Sequence, residues 1–124
     1  MTARITRADA APPYAPPRHD GVDARRLQGL EAGPTDRFWV GLSVYHPGGT
    51  AQTSPAAQET VYVVLDGELV LTVEDDGIEE VLRAGDSVHL PKGTVRQVEN
   101  RGDGTARLLV VIATPPPQAQ ERDR

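Results

Sequence analysis

The 124-residue chain has no cysteine, and only one methionine, one tryptophan and one phenylalanine. Without cysteine there is no disulfide framework, thiolate metal site, iron-sulfur cluster or cysteine nucleophile. Three histidines, His19, His46 and His89, are the only imidazoles available to a metal or a triad, and they are scattered. No apolar run approaches the roughly 20 residues of a membrane span, and Met1 to Ala11 lacks the apolar stretch of a signal peptide. The sequence therefore predicts a soluble, cytoplasmic protein without membrane contact.

What is present is concentrated in the middle. The net charge is -5, from 13 basic and 18 acidic residues. Residues 37–113 hold six of the basic and 11 of the acidic side chains, so the tails are balanced and the body carries the negative excess. Such a surface repels phosphate backbones, and no nucleic-acid partner is expected. Seven of the eleven prolines lie near the ends. About 77 residues remain to build a core, a size at which a partner subunit is a reasonable source of extra burial, so a homodimer is expected.

Residues 1–36 read as a poorly periodic, Pro/Ala-rich arm, partly disordered or packing on a partner with Tyr14 as anchor, with a short helix possible between Asp23 and Leu30. From Arg37 the pattern becomes short β-prone runs: Phe38 to Tyr45, Thr60 to Leu65, Glu68 to Glu74, Ile78 to Arg83, Ser87 to Leu90, Val95 to Glu99 and Ala106 to Ala113. Breakers such as Asp66-Gly67 and Pro91-Lys92-Gly93 separate them, since glycine tolerates positive φ and Asp bonds its local backbone. Regular short strands without a long helix indicate an all-β sandwich or barrel over 37–113, with a disordered polar tail over 114–124.

Two segments of this body resemble the cupin family of small jelly-roll β-barrels. Gly85, Pro91, Gly93, Arg96 and Asn100 reproduce the spacing of the family's second motif, G-x5-P-x-G-x2-H-x3-N, with Arg96 standing where the family has a metal-binding histidine. The first motif, G-x5-H-x-H-x3-4-E-x6-G, keeps its Pro47-Gly48-Gly49 start and its closing Gly67. Counting back from Gly67 puts Thr60 at the glutamate position, and Ser54 and Ala56, or Thr53 and Pro55, at the two histidine positions. The resemblance implies a single cupin jelly roll over about residues 38–113. Hydroxyl, methyl or pyrrolidine, and guanidinium groups cannot replace imidazole and carboxylate, and a permanent cation repels a divalent metal. No metal and no cofactor is expected at the usual place.

If the resemblance holds, Arg96 enters the barrel and must find an anion or strong acceptors. A structural pair with Glu59 or another acid is one outcome. The other is that a ligand carboxylate, enolate or phosphate supplies the anion. Tyr62 shares the face of Thr60 and can donate to an oxyanion or carry a proton, while Gln52 and Gln58 can add hydrogen bonds at the mouth. His46 and His89 are the candidate proton carriers. His19, in the arm, matters only if that arm closes over a barrel.

The leading expectation is a metal-independent cupin. It binds a small organic acid or carbonyl compound inside the barrel and catalyses proton transfer of the isomerase, cyclase, lyase or epimerase type. Catalysis is assigned to His89, His46 and Tyr62, and substrate binding to Arg96, Tyr62, Thr60, Gln52 and Gln58. The alternatives are a non-catalytic sensing or binding barrel and a metal-dependent dioxygenase-type cupin with unusual ligands.

Overall fold

The computed structural model describes residues 2–115. Nine strands follow in order: β1 (Pro13–Tyr14), β2 (His19–Gln28), β3 (Phe38–Pro55), β4 (Thr60–Asp66), β5 (Glu68–Val73), β6 (Ile78–Arg83), β7 (Ser87–Leu90), β8 (Val95–Glu99) and β9 (Ala106–Ala113). Helical structure among the described residues is limited to single 3-10 turns at Ala8–Ala10, Leu30–Ala32 and Glu74–Asp76. None is long and apolar enough to cross a membrane. The expected all-β jelly-roll barrel is what the chain forms.

β3 is the organising element. Its first part, Phe38 to Tyr45, pairs antiparallel with β9, and its last part, from Thr50 onward, pairs with β8. The neighbours continue outward as β9-β4-β7 on one side and β8-β5-β6 on the other. Alternation decides which residues turn inward. On β4, Thr60, Tyr62 and Val64 are buried and Val61 and Val63 are half-buried. On β8, Arg96 and Val98 are buried, and on β9, Ala106, Leu108 and Val110. The largest side chains sealed in the core are Tyr45, Leu69, Leu90, Leu108, Val64 and Val73.

The five central strands from β5 to β9 fall within one residue of their sequence-based bounds. Two departures matter more. β3 does not end before Pro47-Gly48-Gly49 but bends through it and continues to Pro55. Residues 19–28 are not an arm with a short helix but a ten-residue strand paired along β3 of the same chain, from His19 opposite Ala51 to Gln28 opposite Val40. The segment HDGVDARRLQ has no aliphatic alternation to announce a strand, so its register comes from the long-range ladder, a tertiary override of weak local propensity. Tyr14, expected to reach a neighbour, lies on this chain's own Trp39, with ring centroids 5.7 Å apart and planes at 87°. The tail expected over 114–124 lies, from residue 116 on, outside the described residues.

The motif residues that this chain keeps have structural roles that need no metal. Gly93, at φ +90°, donates its N–H to Ala56 O at 2.7 Å and so ties the turn before β8 to the chain leaving β3. Gly67, at φ +75°, closes the β4–β5 turn where a Cβ would sit 2.6 Å from Thr105 O. Asn100, 3% exposed, donates through Nδ2 to Tyr45 O at 2.9 Å and Gly104 O at 2.8 Å, and accepts from Gly102 N–H at 3.0 Å. This side chain replaces backbone partners that an irregular turn cannot supply. Asn100→Ala removes all three of these hydrogen bonds from a buried turn and is expected to lower stability by about 1 to 3 kcal/mol, read from the denaturant midpoint.

Candidate functional site

The inward faces of β3, β4, β8 and β9 do not fill the barrel. A cavity of about 300 Å³ remains, covered on one side by β1 and the β1–β2 turn. All three tyrosines, Tyr14, Tyr45 and Tyr62, line it together with the single tryptophan, Trp39. So do Arg26, Arg96 and His19, but no aspartate or glutamate among the described residues.

Arg96 is the centre of the wall. It is 8% exposed, and the β3–β8 ladder sets it opposite Ser54, a residue that one of the two motif alignments puts at a histidine position. Nε donates to Tyr62 Oη at 2.9 Å, and Nη1 donates to Ser54 Oγ at 2.9 Å and Gln52 O at 3.1 Å. All three acceptors are neutral, and none of the ion pairs among the described residues includes Arg96. Glu59, the internal partner in one of the two outcomes open to Arg96, meets His89 outside the cavity, as alternation requires. A buried cation with only neutral acceptors is a favourable place for a ligand anion.

Of the other expected binding residues, Tyr62, Thr60 and Gln58 line the cavity. Thr60 spends its hydroxyl hydrogen on Gln58 O at 2.9 Å. Gln52 contributes its backbone carbonyl and leaves its side chain exposed, so the expected side-chain contact at the mouth is not formed.

The two histidines expected to face inward do not. His46 Nε2 lies 2.9 Å from Asp23 Oδ2, and His89 Nε2 lies 2.6 Å from Glu59 Oε2, with both rings about half exposed on the outside. His89 alternates outward because Leu90 and Val88 flank it on β7, and Leu90 takes the core position. His46 follows the inward Tyr45 and falls on the opposite face. His19 is the histidine that lines the cavity, because β1, the turn after it and the start of β2 cover the barrel. Burial pushes its imidazole below the ordinary value, its bond to Pro17 O opposes this in part, and the nearby Arg96 adds a still smaller lowering.

At the far side, Arg26 stacks on aromatic rings, its guanidinium carbon 3.5 Å from the Tyr14 centroid and 4.2 Å from that of Trp39. Its Nε donates to Glu31 Oε1 at 2.8 Å, while Nη1 is buried without a partner. Burial raises the pKa of Tyr14, which Arg26 partly offsets, and burial raises that of Tyr45 as well, so both phenols stay protonated donors at neutral pH. Trp39, Ser43 and Tyr45 were reachable from sequence, since odd positions on one strand share a face. Tyr14 and Arg26 were not, and His19 only on the condition that its segment covers the barrel, because β1 and β2 have no visible strand pattern.

This is a small jelly-roll barrel with a polar, cationic interior. The sequence matches the family described as Cupin domain over residues 41–112, and the chain belongs to that family. It is 61% identical over 112 residues to the protein named Beta-D-galactosidase Rv1717 of Mycobacterium tuberculosis, covering 90% of this chain and 95% of that one. The polyketide cyclase RemF from Streptomyces resistomycificus superposes with a TM-score of 0.78 at 25% identity, over 94% of this chain and 82% of that one. A cupin sugar phosphate isomerase from Silicibacter pomeroyi gives a TM-score of 0.70 at 29% identity, over 90% and 76%.

The metal that many cupins carry does not fit this cavity. By the motif spacing, Ser54 and Ala56, or Thr53 and Pro55, stand with Thr60 and Arg96 at the positions of its ligands, and hydroxyl, methyl or pyrrolidine, and guanidinium groups cannot replace imidazole and carboxylate. No group of three or more His, Cys, Asp or Glu side chains gathers elsewhere among the described residues.

The lowered pKa of His19 has a stability consequence. The unfolded chain takes up this proton at a higher pH than the folded chain, so His19 contributes full stability above the ordinary histidine pKa of about 6.5. That contribution is lost as pH falls from there through the folded value. His19→Gln is expected to flatten the fall of stability on acidification relative to the unmodified chain, measured by urea midpoints at a series of pH values.

Proposed function

We propose that this chain is a metal-independent cupin that takes a small acidic or carbonyl-containing organic molecule into the barrel. It then carries out proton-transfer chemistry of the isomerase, cyclase, lyase or epimerase type. The observation that carries this reading is Arg96, a buried guanidinium that neutral acceptors hold in place and no carboxylate neutralises among the described residues. Its Nη2 edge is not committed to a protein acceptor among the described residues and is available to a ligand oxygen. Tyr62 accepts from Nε through its oxygen and keeps its own hydroxyl hydrogen to donate. Two donors that met on one ligand oxygen would stabilise negative charge as it develops there, without reorganisation cost. The names of the cyclase and the isomerase among the structural neighbours support the same class of chemistry. A homodimer belongs to the proposal, supported by the small core.

A second reading is favoured by the 61% identity to a protein named a β-D-galactosidase: hydrolysis of a β-galactoside. Tyr14 and Trp39 would suit a sugar ring. The usual route needs two carboxyl groups flanking the glycosidic bond, and the cavity has none among the described residues. A guanidinium there also opposes an oxocarbenium-like transition state. The first reading fits the residues better.

Titration calorimetry with small carboxylic acids, phenols and β-galactosides tests both. Arg96→Ala is expected to weaken an acidic ligand by about 1.5 to 3 kcal/mol. Unchanged affinity for every acid would leave Arg96 a structural residue and remove the proposal. Turnover of a nitrophenyl β-D-galactoside that survives Arg96→Ala would establish the second reading instead.

A further inference from the structure

The cavity has an oxyanion anchor, and the histidines expected to move its proton face away. The geometry points to His19 as the proton acceptor of this cavity, acting on a ligand whose conjugate base is an enolate or phenolate. The inference rests on reading the cavity as the ligand site.

The backbone around His19 is held on every side. It opens β2 opposite Ala51, while the preceding Arg18 has φ +61°, a strained value for a residue with a side chain, and its carbonyl accepts from Gln52 N–H at 2.9 Å. The same Gln52 gives its own carbonyl to Arg96, so one residue of β3 positions both the histidine and the guanidinium. Pro16 and Pro17 stiffen the turn that leads in.

The ring's tautomer follows from its partner. His19 Nδ1 lies 2.9 Å from Pro17 O, and a carbonyl oxygen can only accept, so Nδ1 carries the hydrogen. In the neutral ring the lone pair is then on Nε2, which has no hydrogen-bond partner among the described residues. The surface histidines differ: in each, Nε2 faces a carboxylate. The titratable groups lining the cavity with His19 are Tyr14 from β1, Arg26 from β2, Tyr45 from β3, Tyr62 from β4 and Arg96 from β8. None of them is a carboxylate that would stabilise an imidazolium; on its other side His19 borders a second pocket with Asp23 and Arg25, outside this cavity. The downward push of burial and of Arg96 on its pKa favours the neutral ring.

The step balances within the ligand and the ring. Nε2 takes a proton from a carbon next to a carbonyl, or from an enol or phenol oxygen. The bond to hydrogen breaks, a new N–H bond forms, and the electron pair passes to the ligand oxygen held by Arg96 and Tyr62. Return of the proton to a different ligand atom completes an isomerisation and needs no oxidant or reductant.

Two measurements on the full chain test this. Nitrogen-15 imidazole spectra of the ligand-free protein are expected to show His19 with its hydrogen on Nδ1, titrating below the ordinary histidine range, with its midpoint moving up in Arg96→Gln. A hydrogen on Nε2, or an ordinary or raised midpoint, overturns the inference. The second measurement uses 4-nitrophenol at a pH where the free probe is protonated. The unmodified chain is expected to bind it with the absorbance of the phenolate, and His19→Gln to bind it with the absorbance of the phenol. The same phenolate spectrum in both overturns the inference while leaving the ligand site intact. Failure of the unmodified chain to bind any small acid overturns the function proposed above, and with it the inference, which needs a ligand in this cavity.

Discussion

An eighteen-residue antiparallel strand cannot lie in one flat sheet, because each strand twists and a long one must bend or share itself between two layers. β3 does the latter, and the barrel depends on it. Its first half is laddered to β9 and its second half to β8, with β2 running alongside both. The bend lets one strand line the cavity with Trp39, Ser43, Tyr45 and Ser54 while the Gln52 carbonyl meets Arg96. A guanidinium on β8 is thereby placed among neutral acceptors supplied by a single neighbouring strand and by Tyr62 on β4.

That placement accounts for the chemistry of the interior. Burying a cation among neutral oxygens costs solvation that hydrogen bonds only partly restore. A metal site spreads this burden over an ion and anionic or imidazole ligands. Here the ion's charge belongs to a side chain, and a ligand anion would complete the balance. The surrounding side chains suit that arrangement, since three phenols, an indole and a neutral imidazole add donors and polarisable walls without adding a competing negative charge.

Two kinds of structure were legible in the sequence to different depths. The strands from β5 to β9 could be read closely because each combines alternating aliphatic residues with turn residues of known mechanism at its ends. The glycine, proline and asparagine positions of the second motif could be read because their roles are backbone roles: Gly93 at a positive φ, Asn100 closing a turn through three hydrogen bonds. The inward direction of Arg96, Tyr62 and Thr60 followed from the same alternation. His46 and His89 show the limit of weighing residue type ahead of parity. Each neighbours a residue that takes the core position, Tyr45 and Leu90, so each must face out.

The sequence by itself determined the barrel, its central strands and the presence of a cation where relatives of this family hold a metal. These are properties of period-two patterning, turn chemistry and one residue's identity, all of which are local. Only the tertiary structure decided that residues 13–28 close over the barrel and that His19 shares a cavity with Arg96. The reason is that β2 owes its existence to hydrogen bonds with a strand more than twenty residues away in places, and a ladder between distant segments leaves no periodic trace in a polar sequence.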